Sequence, residues 1–550
     1  MTLAAGDPEM RVRELIDLYS DPAACVAELL CDRHEPVRRA YRLIADDLTS
    51  RDLSYGELRA ESERFANALT SLGVGPGDRV ATLMGKSWHY LVALMGIWRV
   101  GAVHVPLFTA FAPPAIAFRV ERCRAKLVLC DEGQRGKLAG LDRGTGPGAW
   151  QVVTTGSASE GAHSFDALLA SAPKGFTPAA VGGDAPLIHI FTSGTTGDPK
   201  GVIVPVKALA AFRIYAEYGL GVIAESDEFW CAADPGWAYG LYFGILATFT
   251  TGVSSVLYTA GFNPEATFAI LAQEKITNFT AAPTVYRSLR SSSLAPTAPL
   301  YLRCASSAGE PLTPEVNVWA QAALGTTVHD HYGQTEAGML INNHHHPAVR
   351  SPMKDGSMGR PMPGWSAVVL REAADEVAET GKVGRVAMDL ERSPLAWFKG
   401  YDGSTAAGDK TTANGRWYLT GDVGRMDVDG DFFFSARDDD VIIMAGYRIG
   451  PFEVESVMAR HPDIAECAVI AVPDEVRGEV IEAYVVLRDG AAPDADLEKQ
   501  IQQWVKRGYA AHAYPRKVHF ADALPKTPSG KIQRFVLKQQ RLDELRIAAT

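Results

Sequence analysis

Residues 192–201, TSGTTGDPKG, crowd threonines, a serine, glycines and one lysine together directly after the apolar run Leu187–Phe191. Glycines let backbone N–H groups form an anion-binding concavity, hydroxyls add donors and Lys200 adds a point charge, so the stretch is suited to wrapping phosphates. It is not a Walker loop, which needs G-x-x-x-x-G-K-[ST]. Counted from Gly194, Pro199 stands where the second glycine belongs, and Gly201 follows Lys200 where a hydroxyl belongs. Taken alone, the loop is equally compatible with a surface turn.

Other residues are open to two readings until their context is known. Asp422 lies in a Gly-Asp turn, where aspartates complete Asx-turns. Lys531 lies after Ser529-Gly530 on a turn of its own, the usual place for an exposed lysine. Glu336 reads as a solvated acid, Arg437 as an exposed charge, and Tyr332 and Trp237 as packed aromatics. His344, His345 and His346 look like a metal cluster, but three adjacent side chains point in different directions and lack ligand spacing, which favours a polar loop. Seven cysteines, at 25, 31, 123, 130, 231, 304 and 467, include no C-x-x-C pair. They read as reduced intracellular thiols, with no disulfide framework and no zinc site, and no thiol nucleophile is supported.

These candidates need elements to hold them. SYGELRAESERFANALTSLG (54–73) predicts a helix with Ser54 as N-cap, Gly73 as stop and Leu58, Phe65, Ala68 and Leu69 on one face. DRVATLM (78–84) and KLVLCD (126–131) are short buried strands, and WHYLVALMGIWRVGA between them is helical. The rhythm returns at DAPLIHIFTSG, VSSVLYT and ITNFTAAP, which predicts an α/β fold, a large N-terminal domain of layered α/β units around largely parallel sheets. Beyond residue 400 the pattern changes. Asp429-Gly430 marks a hairpin turn, three acids follow at Asp438–Asp440, and helices and strands after them suit a small mobile α+β C-terminal domain of about 110 residues. The expected domains are 1–437 and 438–550, with the acidic triplet as the hinge candidate.

A chain of 550 residues exceeds what one core supports. With 54 basic against 65 acidic residues, a net charge of −11 and no long basic run, the electrostatic footprint of a nucleic-acid binder is missing. MTLAAGDPEM does not read as a secretory signal, and no apolar run reaches membrane-spanning length. The expectation is a soluble cytoplasmic protein, enzyme or scaffold, with neither nucleic acid nor membrane as partner.

The loop's company narrows its reading. TSGTTGDPKG resembles the phosphate-binding signature of the AMP-forming adenylating enzymes, the superfamily that includes acyl-CoA synthetases, nonribosomal adenylation domains and firefly luciferase. Further segments are similar to that family's motifs and stand in its order: SAGEPL (307–312), DHYGQTEAG (330–338), YLTGDVGR (418–425), ARDDDVIIMAGYRIGPFEVE (436–455) and LPKTPSGKIQR (524–534). The resemblance spans about residues 50–540.

By that resemblance, Thr192, Ser193, Gly194, Thr195, Thr196 and Lys200 hold the phosphates of ATP. Gly309, Glu310 and Pro311 form one wall of the adenine pocket, and Tyr332 stacks on the other side. Asp330 fixes the amino edge, and His331, Gly333 and Thr335 complete the nucleotide contacts. Asp422 takes both ribose hydroxyls, as an acceptor-only group can, and Arg437 contacts the nucleotide. Glu336 and Thr195 hold Mg²⁺, for which a hard oxygen is the preferred ligand. Lys531 swings in on the small domain, hinged at Asp439, as the catalytic lysine, with Thr195 and Glu336 in the catalytic group. Trp237 and Gly333 face the acyl group, and Gly446 and Arg448 line the path of coenzyme A.

The implied reaction has two steps. A carboxylate attacks the α-phosphorus of ATP to give acyl-AMP and pyrophosphate, and a thiolate then displaces AMP. GYRIGPFEVE, VRGEVIEAYVVL and YPRKV are most similar to medium-chain acyl-CoA synthetases, with acetyl-CoA synthetases as neighbours. Acetate-specific members carry a Trp at the position of Gly333, so glycine predicts an acid longer than acetate: short branched, medium-chain or aryl. Two alternatives remain open, loading of a separate carrier protein and a non-catalytic nucleotide-binding relative. Ser529 beside the exposed lysine is also compatible with a lysine acetyltransferase acting on Lys531.

Overall fold

The computed structural model describes residues 6–144, 149–157, 161–192, 199–292, 294–404, 410–444, 447–474, 478–510, 513–527 and 531–549. Side-chain positions are not described for 439, 447, 448, 478, 548 and 549.

A seven-stranded sheet in the large domain runs His163–Ser164, Gln151–Thr154, Leu127–Cys130, Arg79–Leu83, Val103–Pro106, Pro186–Thr192 and Lys200–Pro205. All neighbours are parallel except the last pair, a hairpin that 192–201 closes. Leu127–Cys130 and Val103–Pro106 are buried at every position, as strands covered on both faces must be. The crossover helix Trp88–Val100 is buried from Tyr90 onward; Ser87 caps its start and Gly101, at φ +80°, ends it in the left-handed conformation. Tyr55–Ser71 buries Leu58, Phe65, Ala68 and Leu69, and Ser54 caps it by accepting from Glu57 N.

The second sheet has thirteen strands. Arg39–Ile44, Ser254–Tyr258, Glu228–Cys231, Asn278–Ala281, Cys304–Ala308 and Val328–Gln334 are parallel neighbours. From Gly338–Asn342 onward the sheet is antiparallel, through Ser357–Pro361, Phe432–Arg437, Trp417–Met426, Gly384–Asp389 and Ala367–Leu370. The expectation of largely parallel sheets therefore holds for one half of this sheet and fails for the other. Short hairpins replace helical crossovers after Gly338, and tight turns such as the one closed by Gly430 N donating to the Asp427 carbonyl at 3.1 Å can join only antiparallel strands.

The C-terminal domain has its own five-stranded sheet, in the order Tyr447–Ile449, Ile442–Met444, Gly478–Leu487, Ile464–Asp474, with Lys517–Phe520 pairing Gly478–Leu487. Helices Pro451–Met458, Ala495–Gly508 and Arg534–Ala549 accompany it. Ile442, Met458, Ile481, Ile501 and Leu537 belong to an apolar core separate from that of the large domain. Inside it, Arg534 clasps Glu455 through two hydrogen bonds of 2.9 and 2.6 Å. A short 3₁₀ turn, Asp438–Asp440, joins the last strand of the large sheet to the first of the small one. The fold is α/β, a large domain of layered sheets carrying a small α+β domain. All seven cysteines are free. Among the described residues, no helix is long and apolar enough to cross a membrane.

Candidate active site

Hairpin register brings the first charges together. Trp417–Met426 pairs with Phe432–Arg437 so that Asp422 faces Arg437, and the guanidinium lies 3.5 Å from the carboxylate. Strand alternation sends Tyr332 and Gln334 to one face of Val328–Gln334. From there Tyr332 donates to Asp422 Oδ2 and Gln334 Nε2 donates to the same oxygen at 2.9 Å. Asp422 is 4% exposed, and burial pushes its pKa up while Arg437 pulls it down.

Asp330, on the same face as Tyr332, accepts from Leu312 N at 3.3 Å, and burial pushes its pKa up to about 8. A carboxyl that is neutral at pH 7 can both donate and accept, which suits the edge of a base. Gly309 turns the chain at φ +105°, a conformation that favours glycine. A β-carbon built there would touch Lys531 Cε at 3.8 Å. The small domain's lysine therefore lies against the wall that Gly309, Glu310 and Pro311 make. Glu310 is also held by Arg287 at 2.7 Å. Lys531 retains exposed surface, yet the crowding around it pushes its pKa down, while Glu310, Asp422 and Glu336 oppose that shift.

Glu336 is a second buried acid of the site, 6% exposed. Tyr401 donates to its Oε1 at 2.6 Å, and Lys410 Nζ lies 3.8 Å from the same oxygen. Lys410 also donates to Gln334 Oε1 and to the Thr420 carbonyl, both at 3.0 Å. Thr192 pairs with Lys200 across the hairpin, and Lys200 sits over the Tyr401 ring at 4.8 Å. Gly201 allows no side chain, because a β-carbon would stand 2.4 Å from His189 Nε2. Ser193, Gly194, Thr195 and Thr196 lie outside the described residues, as do Gly446 and Ser529. Arg448 is described only by its backbone, which pairs with Ile443. Thr335 is half-buried and its carbonyl accepts from Tyr242 at 3.1 Å. Glu336 offers a hard carboxylate oxygen, linked through Tyr401 to Lys200, and so fits a Mg²⁺ ligand.

Two expectations change here. His331 points to the face opposite Tyr332: its Nδ1 meets Tyr215 Oη at 2.7 Å and its Nε2 meets the Asn343 carbonyl at 3.0 Å. Strand alternation thus removes it from the nucleotide wall. Gly333 does not mark open space, because a β-carbon there would lie 2.3 Å from the Gly338 carbonyl and 2.6 Å from Met339 Sδ. The tight approach of the next strand requires glycine at this point. Trp237 packs on Phe108 and Phe111, with ring centroids 5.2 and 5.6 Å away.

The histidine run divides. His345 stacks on His329 at 3.6 Å, and ring nitrogens of His329, His331 and His345 lie within 4.8 Å of one another. Two of these rings give an N–H to the Asn343 carbonyl, at 2.8 and 3.0 Å, and face-to-face rings do not converge their lone pairs on one point. The group is a buried polar cluster.

With this geometry in hand, comparison with known proteins identifies the lineage. The family model "AMP-binding enzyme" matches residues 32–401, and "AMP-binding enzyme C-terminal domain" matches 453–531. The chain belongs to the AMP-binding enzyme family. An acetyl-coenzyme A synthetase of Bacillus subtilis (strain 168) is 35% identical over 89% of this chain and 85% of its own length. A mitochondrial acyl-coenzyme A synthetase of Mus musculus is 33% identical over 88% and 84%. The crystal structure of an acyl-CoA synthetase from Brucella canis superimposes with a TM-score of 0.75 and 39% identity, over 97% of this chain and 98% of that one. This AMP-binding enzyme is accordingly an AMP-forming acid–thiol ligase, of a family that works with ATP, Mg²⁺ and coenzyme A.

Gln334, Tyr401 and Lys410 were not picked out from the sequence of this AMP-binding enzyme. Gln334 stood inside a quoted motif; Tyr401 and Lys410 lie in an irregular stretch between strands, where spacing carries no signal.

Proposed function

We propose that the chain is an acyl-CoA synthetase that converts a carboxylic acid longer than acetate first to acyl-AMP and then to acyl-CoA. The observation that carries this reading is Lys531 Cε lying against the Gly309 turn, which brings a cation of the small domain beside Asp422 and Glu336 of the large one.

In the first half-reaction, Asp422 holds the ribose and Tyr332 stacks on the base. The substrate carboxylate attacks the α-phosphorus, a C–O–P linkage forms and pyrophosphate leaves. Lys531 neutralises the approaching carboxylate and the charge building on the α-phosphate, the main electrostatic task of phosphoryl transfer. Mg²⁺, held by Glu336 and Thr195, supplies charge neutralisation to the triphosphate when bound. In the second half, the small domain turns about Asp439, between domains 1–437 and 438–550, and withdraws Lys531. Gly446 and Arg448 then face coenzyme A, whose thiolate forms the C–S bond as AMP departs.

The aromatic surface of Trp237, Phe108 and Phe111 supports an acyl group larger than acetyl. The free cysteines are consistent with a cytoplasmic location. Acetylation of Lys531 would remove the charge this mechanism needs, and unchanged activity after enzymatic acetylation would refute that regulation.

The test is AMP release with ATP, Mg²⁺ and CoA across acids of increasing length, branched and aryl acids included, with Lys531→Ala as control. A length optimum beyond acetate that is lost in the control supports the reading. Turnover only when a carrier protein replaces CoA would redirect it to carrier loading.

A further inference from the structure

On the face of Val328–Gln334 opposite Tyr332, a chain of hydrogen bonds runs from Thr280 to the Asn343 carbonyl. Thr280 Oγ1 and Tyr239 Oη are 2.6 Å apart, Tyr239 Oη and Tyr215 Oη 3.0 Å, Tyr215 Oη and His331 Nδ1 2.7 Å, and His331 Nε2 and the Asn343 carbonyl 3.0 Å.

The carbonyl end fixes the direction of this chain. A carbonyl only accepts, so Nε2 of His331 carries the proton, and burial keeps the ring neutral. Nδ1 must then accept from Tyr215, so the Tyr239 proton goes either to Tyr215 Oη or to Thr280 Oγ1, whose own hydroxyl has the Ser306 carbonyl as an acceptor at 3.4 Å. Either way the protons of both phenols are committed within the chain, which leaves Tyr239 Oη a lone pair able to accept a further donor. Tyr215, Thr280 and His331 are buried, whereas Tyr239 is half-buried and forms the open end.

The two phenols are presented by unusual backbone. Tyr215 begins a π-helical turn, Tyr215–Gly219, and Tyr239 immediately precedes another, Gly240–Leu246. Such turns often occur at functional sites. A pocket built only for hydrocarbon needs neither phenol, since phenylalanine would fill the same volume without burying a polar group.

We infer that the acid this enzyme activates carries a neutral hydrogen-bond donor, a hydroxyl or an aryl amino group, which Tyr239 accepts, with Tyr215, Thr280 and His331 orienting the phenol. The inference rests on the proposed acyl site. From a carboxylate reacting beside Lys531 and Glu336, the rest of the acid extends toward Trp237 and the Gly333 face, where Tyr239 stands two residues from Trp237. All members of the chain are neutral, so an alkyl ammonium would be left without a counter-charge. A site that hydrogen-bonds a substrate group discriminates far more strongly than an apolar pocket does against one methylene.

The experiment pairs acids of one skeleton: hydroxybutyrates with butyrate, and hydroxy- and aminobenzoates with benzoate. AMP release with ATP, Mg²⁺ and CoA gives kcat/KM for each. At least one donor-bearing acid is expected to exceed its parent by about tenfold or more, and Tyr239→Phe to lower that ratio about tenfold, chiefly through KM. Tyr215→Phe, one bond further back, is expected to lower it less. Thermal melting checks that the variants fold, and Thr280→Val supplies a second disruption of the same chain. Parent acids preferred throughout, or a ratio unmoved by Tyr239→Phe and Thr280→Val, would overturn the inference while leaving acid activation standing. No AMP from any acid would overturn the reading beneath it, and the inference with it.

Discussion

Lys410 and Lys531 both bring positive charge toward Glu336, and both have their pKa pushed down by burial. They differ in how they are held. Lys410 belongs to the large domain, is 15% exposed and is fixed by Gln334 and the Thr420 carbonyl. Lys531 belongs to the small domain and rests on a short local closure in which Thr527 N donates to the Lys531 carbonyl at 2.7 Å and Lys531 N donates to Thr527 Oγ1 at 3.0 Å. One cation is built into the large domain; the other reaches the pocket from the small one. A fixed charge stabilises ground and transition states alike, whereas a charge that arrives with domain closure can serve one half-reaction and then leave.

Four perturbations test that contrast, beginning with the largest. Lys531→Ala should lower acid-dependent pyrophosphate–ATP exchange by roughly 100- to 1,000-fold while changing ATP affinity little, as isothermal titration would record. Equal losses of exchange and affinity would make Lys531 a fixed binding charge like Lys410. Next, Arg534→Met strands Glu455 in the small-domain core and touches the hinge, since Arg534 also lies 3.9 Å from Asp440. Breaking one partner of such a buried pair costs about 3–5 kcal/mol, seen as a separate low-temperature transition in calorimetry.

Lys410→Met should act on binding more than on turnover, raising KM for ATP about tenfold with a smaller change in kcat. A larger fall in kcat than rise in KM would contradict the fixed-charge role. Asp330→Asn tests the pocket's other wall and carries a sign. The carboxyl ionises near 3.8 in the unfolded chain and at about 8 in the folded one, so the folded state holds an extra proton between those values. Stability should fall as pH rises through that window and level off above it. The Asn variant should show a flatter melting temperature from pH 5 to 9.

Residue types made much of this legible beforehand. Ser54 and Ser87 cap helices because their hydroxyls take the first free N–H groups, a local effect that a few residues encode. Buried strands such as Leu127–Cys130 announce themselves as apolar runs. The antiparallel half of the large sheet was only partly legible: Asp429-Gly430 marked one hairpin, whereas the pairing of Ser357–Pro361 with Phe432–Arg437 joins strands far apart in sequence, which leave no periodic mark. Gly333 misled for a related reason: glycine reads equally as room for a ligand or as room for a neighbouring strand, and only the 2.3 Å approach to the Gly338 carbonyl separates the two. His331 sits one residue from Tyr332, but alternation along the strand sends it to a different chemistry. Tyr401 and Lys410 gather around Glu336 only once the chain returns beside Gly201, where Asp402 N donates to its carbonyl at 2.8 Å.

The central claim is that one pocket serves two reactions and that Lys531 serves only the first. The most direct measurement supplies preformed acyl-adenylate and CoA to the Lys531→Ala protein and follows thioester formation. The account predicts a rate close to that of the unmodified enzyme, beside an exchange reaction that is nearly lost. Thioester formation that falls as steeply as exchange would contradict it, since Lys531 would then belong to both halves.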